Sequence, residues 1–140
     1  MYQQIVIPEA VVTELSEKRD LFPKAANVPD LEFIHVEQPE NEVLVRELER
    51  ELHAGEAACL ALALETGDTS RLILDDVAAR NAAEYHNVLF VGTLGILLEA
   101  KSKGIIPSIA ALVADLRTKA RFWIHSDLEK AVLKAANESV

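Results

Sequence analysis

The segment from Glu56 to Glu65 constrains the fold more than any other. Ala57, Ala58, Cys59, Leu60, Ala61, Leu62, Ala63 and Leu64 leave it no polar face. A helix that is apolar all round must be covered on most sides, so the chain needs further layers to pack around it. Gly67 follows, a residue suited to the left-handed turn that stops a helix. The covering layers are foreshadowed by short apolar runs without helical period. Leu72-Ile73-Leu74 and Val88 to Val91 are continuous, as strands of a parallel sheet covered on both faces are. Ile5-Val6-Ile7, stopped by Pro8, reads as a third strand. Leu31 to Val36 reads as a fourth, with Leu31, Phe33 and His35 on one face.

Helices fill the intervals. Pro8 and Glu9 open one that carries Ala10, Val11 and Leu15 inward. Pro23 to Pro29 is broken, with room for one helical turn. Glu40 to Glu51 has helical spacing, with Val43, Leu44, Leu48 and Leu52 on the inner side. Asp75-Asp76 opens a helix through Ala83, and Gly92-Thr93 precedes one that stops at Gly104. Ser108 to Leu116 turns Ile109, Leu112, Val113 and Leu116 inward. Phe122-Trp123-Ile124 is a short strand or an apolar turn. Ser126 and Glu129 have the spacing of a capping box for a last helix. Strands separated by helices imply right-handed crossovers, a mostly parallel sheet and an α/β fold in a single domain spanning 1–140. Chemistry in such sheets gathers at the carboxyl ends of the strands.

Charge narrows the function. The net charge is -9, and it is uneven: residues 1–100 hold 7 basic and 19 acidic side chains, residues 101–140 hold 7 and 4. Binding nucleic acid by phosphate neutralisation alone does not suit such a chain; divalent cations or a basic partner would have to cancel the acids. The single cysteine, Cys59, excludes an internal disulfide and reads as a small core residue. No basic leader and no long apolar run precede or interrupt the pattern, so a soluble, cytoplasmic protein with no membrane segment is expected. His35, His53, His86 and His125 have no zinc-site spacing.

The acids stand at element ends. Asp75 and Asp76 end a strand and open a helix, Glu56 lies in the first turn of the apolar helix, and Glu14 lies on the helix after the first strand. Two carboxylates about 4 Å apart repel by roughly 4 kcal/mol at a surface-like dielectric. A proton or a hard cation such as Mg²⁺ or Mn²⁺ relieves that repulsion. The alternative for Asp75 and Asp76 is plain helix capping.

The phrases Leu52-His53-Ala54-Gly55-Glu56-Ala57-Ala58, Leu72-Ile73-Leu74-Asp75-Asp76-Val77-Ala78-Ala79-Arg80, Gly92 to Lys101, Gly104-Ile105-Ile106-Pro107 and Ile7 to Leu15 resemble, in order and spacing, PIN-domain proteins of a bacterial and archaeal branch. The resemblance covers nearly the whole chain. It implies a three-layer α/β/α sandwich, Mg²⁺ or Mn²⁺ as cofactor, and cleavage of single-stranded RNA. Many members are toxins paired with an antitoxin protein, of the VapC kind. Glu14, Glu56 and Asp75 correspond to the metal-holding acids. Asp76 stands beside them as a fourth catalytic acid, and Thr93 matches a place where a hydroxyl and free N–H groups hold phosphate. Thr93 is otherwise a plain N-cap.

Members of the family open with a strand ending in aspartate, followed by a helix, ahead of the Ile-Val-Ile-Pro phrase. Neither has a counterpart here, so the chain reads as shortened at its front, with a metal ligand missing and a sheet edge exposed. Two readings follow: a metal-dependent ribonuclease, or a degenerate PIN-like module that binds partners, a second copy of itself among them. A response-regulator-like phospho-acceptor domain fits less well, because the late strand ends in Gly92-Thr93 and offers no lysine.

Overall fold

A computed structural model of the chain describes residues 4–67 and 70–138. The order is β1 (Ile5–Ile7), α1 (Glu9–Glu17), a 3-10 segment (Pro23–Asp30), β2 (Ile34–Val36), α2 (Glu42–Leu48), α3 (Ala54–Thr66), β3 (Leu72–Ile73), α4 (Val77–Tyr85), β4 (Phe90–Val91), α5 (Thr93–Ser102), α6 (Ile109–Lys119) and α7 (Ser126–Ala135). The fold is α/β with parallel strands, as the sequence pattern predicts. The strands form two separate two-stranded parallel ladders, β1 with β2 and β3 with β4.

The chain divides into two compact bodies, the first ending at Val91 and the second beginning at Gly92. All four strands belong to the first. Its core is built on α3: Ala57, Leu60 and Ala63 pack with Leu52, Leu72, Leu74, Ala79 and Ala83. Six residues of α3 are buried, which is what an all-apolar helix requires. Its four buried alanines keep it slim, so that α1, α2, α4 and β3 all pack against it. Gly67 ends it at φ 75°.

The second body is helical. Leu94, Ile109, Val113, Ile124 and Leu133 form its core. Glu138 locks it: one carboxylate oxygen accepts from the Ile109 N–H at 2.7 Å and from Lys101 Nζ at 3.1 Å. The other accepts from the Ala110 N–H at 3.1 Å and the Ser108 hydroxyl at 3.0 Å. The backbone donors at the start of α6, first among causes, hold the Glu138 carboxyl down to about 2.

Four local expectations change. Leu31 and Phe33 precede β2 and are exposed, because the 3-10 segment runs to Asp30 and takes up the approach to the strand. Val43 is 75 % exposed, since α2 starts only at Glu42 and turns Leu44 and Leu48 inward instead. Phe122 to Ile124 forms no strand, and only Ile124 is buried there. The last helix is capped by the His125 ring, whose Nδ1 accepts from the Asp127 N–H, and not by Ser126; Glu129 pairs with Arg117 instead of closing a box.

Candidate functional site

The start of α3 holds one of the expected acids, Glu56, and receives a second, Glu14, against Gly55. Gly55, buried, is the second residue of α3, and a side chain there would collide with Glu14: a Cβ would lie 2.5 Å from its Oε1. Gly55 thus lets the α1 carboxylate settle against the first turn of α3, at the residue that precedes Glu56 in the chain. Glu56 folds back and accepts the His53 N–H at 3.3 Å, the reciprocal half of a capping box. Among the described residues the Glu14 carboxylate receives no hydrogen bond and no ion pair. Cys59, one turn further along α3, senses both acids. Burial first, then the charges of Glu14 and Glu56, push its thiol up to about 11. Cys59 is a protonated, unreactive thiol, in line with its reading as a core residue.

Asp75 and Asp76 have other duties. Asp76 caps α4, its Oδ2 accepting the Ala79 N–H at 3.0 Å. Asp75 lies 3.5 Å from the Arg80 guanidinium, which also donates from Nε to the Leu74 carbonyl at 2.9 Å and stands 6.0 Å from the Phe90 ring centroid. Arg80 thereby ties the end of β3 to α4 and supplies Asp75 with a protein cation. Neither Arg80 nor Gly55 is assigned a role by the sequence pattern. The only cue was that each stands in a phrase carrying an acid.

Thr93 is the first residue of α5, half-buried, with Gly92 in the N-cap position. It lies in the second body, apart from the body that holds the four acids. Four basic residues of that body stand in ion pairs: Lys101 with Glu138, Lys103 with Glu99, Arg117 with Glu129 and Lys119 with Asp115.

A cavity lies at the far end of α3, lined by Glu37, Gln38, Glu40, Leu62, Glu65 and Thr66. Glu65 there is structural: its two oxygens accept the Glu40 and Asn41 N–H groups at 3.1 and 2.9 Å, fixing the entry to α2. The 13 residues of α3 span about 20 Å, so this groove and the Glu14–Glu56 pair sit at opposite ends of one helix.

Among the described residues no three His, Cys, Asp or Glu side chains form a group that could hold a metal ion. The arrangement does not fit a closed cage that includes Asp75. It does fit an open site, because Mg²⁺ commonly takes one or two carboxylates and completes its shell with waters and substrate phosphate. Glu14 and Glu56 are donors of that kind, on separate elements.

No helix among the described residues is long and apolar enough to cross a membrane. Comparison with curated proteins and with solved structures finds no match. Comparison with protein-family models finds one whose description is a PIN domain, matching residues 1–138. With the parallel α/β architecture and acids at the start of α3 and the end of β3, this match places the chain in the PIN-domain family.

Proposed function

We propose that the chain is a ribonuclease-type PIN domain that cleaves single-stranded RNA with Mg²⁺ or Mn²⁺. Glu14 and Glu56 hold the ion, and Asp75 joins them once substrate charge competes for Arg80. The observation that carries the reading is the Glu14 carboxylate, held against Gly55 in the first turn of α3, where among the described residues it has no hydrogen bond and no ion pair. When bound, a divalent ion supplies charge neutralisation at phosphate and an acidified water. The chain's own residues do the positioning. Gly55 admits Glu14, the capping bond to His53 fixes Glu56, and Arg80 holds Asp75 at the end of β3. Asp76 keeps α4 in place. Pairing with an antitoxin protein suits the acidic surface if that partner is basic.

Cleavage of a single-stranded RNA with Mn²⁺, abolished in Glu14→Gln combined with Glu56→Gln, is the expected result. Undiminished cleavage by the double variant sinks the proposal. A second reading, a PIN-like module that binds or dimerises without cleaving, draws support from the Asp75–Arg80 pair and the lack of a three-acid group among the described residues. It predicts a stable oligomer and no Mn²⁺-dependent cleavage by the unaltered chain.

A further inference from the structure

In the second body, the segment that leads from α6 to α7 alternates. Phe122 packs against the core and Ile124 lies in it, while Arg121, Trp123 and His125 are exposed. Trp123 is 78 % exposed although both of its neighbours are anchored, so its indole is presented from a fixed backbone. The His125 ring stands edge-on to it, with 5.9 Å between centroids. That ring is itself held: its Nδ1 accepts the Asp127 N–H at 3.2 Å, which puts the ring proton on Nε2. Arg121 opens the segment at φ 54°, and the next N–H, that of Phe122, donates to the Leu116 carbonyl at 2.9 Å. The other left-handed residues described are Gly67, Asn87, Gly104 and Asn137, types that tolerate such a backbone. An arginine there is costly, and glycine would hold the turn more cheaply.

Charge selects the occupant of this strip. Residues 92–140 hold 7 basic and 5 acidic side chains. Glu99, Asp115, Glu129 and Glu138 each stand in an ion pair, and Arg121, Lys130 and Lys134 have none among the described residues. The remaining acid, Asp127, lies 3.8 Å from His125 Nδ1. Arg121, the Trp123 indole N–H and His125 Nε2 offer donors and no acceptor. An indole face, donors and unpaired cations suit a ligand that brings flat rings, acceptors and negative charge together. An acidic polypeptide uses the cations but not the indole face, and a duplex keeps its base faces stacked inside. We propose that the strip of Arg121, Trp123 and His125 binds a single-stranded polynucleotide, with one base stacked on Trp123 and a phosphate on Arg121. The proposal is carried by the second body alone and does not rest on the nuclease reading.

Trp123 is the single tryptophan of the chain, so its fluorescence reports on the strip alone. The whole 140-residue chain is titrated in EDTA with an oligouridylate dodecamer. Chelation removes divalent ions, so the result is separate from any cleavage or metal binding by Glu14 and Glu56. Controls are an RNA duplex of the same length, an abasic strand and polyglutamate. The single strand quenches Trp123 with an affinity that falls as salt rises, and the three controls quench much less. Anisotropy of a labelled dodecamer then reads the variants. Trp123→Ala weakens binding by about tenfold and Trp123→Phe keeps most of it. Arg121→Gly, which suits φ 54°, leaves the melting temperature intact or higher, weakens binding and lowers the salt slope by about one. The proposal is overturned by no quenching with the single strand, by equal quenching with the duplex or the abasic strand, or by unchanged affinity in Arg121→Gly. Equal quenching with polyglutamate also overturns it and makes an acidic protein the occupant.

Discussion

Each body buries a core of its own, and the two differ in how one acid of each is held. In the second, Glu138 is fully engaged by two backbone N–H groups, a hydroxyl and Lys101, and Glu99, Asp115 and Glu129 each face a cation. In the first, among the described residues, the Glu14 carboxylate against Gly55 has no hydrogen bond and no ion pair. A satisfied acid stabilises the body that holds it, and an acid left open is a candidate for chemistry. The candidate acids and most of the negative charge fall in the first body.

The largest expected effect tests whether both cores are equally tight. Leu60→Ala in the first and Ile109→Ala in the second remove side chains that are 1 % and 0 % exposed. Each should cost about 2–5 kcal/mol in denaturant unfolding, and a loss below 1 kcal/mol at either site would mean that its core is loosely packed.

Next comes the Glu138 lock. Its folded carboxyl lies near 2, below the ordinary 4.5, so its contribution is full above pH 4.5 and fades as pH falls toward 2. Glu138→Gln should lower the melting temperature at pH 7 and flatten that acid dependence. An unchanged acid limb would show that other carboxylates govern it. Asp76→Ala, which removes the α4 cap, should cost about 1 kcal/mol, with Asp76→Asn recovering most of it. If Asp76→Asn keeps stability but loses cleavage, Asp76 acts in the chemistry as well as in the cap.

The smallest effect sharpens the contrast most. Glu14→Gln in metal-free buffer should stabilise the chain by a few tenths of a kcal/mol, because it relieves repulsion with Glu56. Destabilisation would mean that the Glu14 charge is already compensated.

What could be read from the sequence was local. Leu72 to Leu74 and the apolar helix declare themselves by continuous hydrophobicity, and Gly67 by its turn chemistry. Leu31 and Phe33 misled because alternation looks like a strand, while the proline-rich 3-10 segment delays the strand to Ile34. Ser126 misled because a capping box is a spacing pattern, and the His125 ring competes for the same donors. Of the acids, the capping role of Asp76 was readable from its place before α4. The meeting of Glu14 with Gly55 was not, since it joins residues 41 apart through the packing of α1 on α3. The Arg80 claim on Asp75 was hidden for a similar reason: it depends on how α4 folds back over the end of β3.

The most direct test of an ion held by Glu14 and Glu56 is the melting temperature of the chain with and without Mn²⁺, with Ca²⁺ for comparison and the Glu14→Gln, Glu56→Gln double variant as control. At about 100 times its dissociation constant the ion adds roughly 2.7 kcal/mol, or roughly 5 to 10 °C for a chain of this size. A rise of that order, lost in the double variant, is the predicted result. No rise in the unaltered chain, or an equal rise in the variant, would contradict the account.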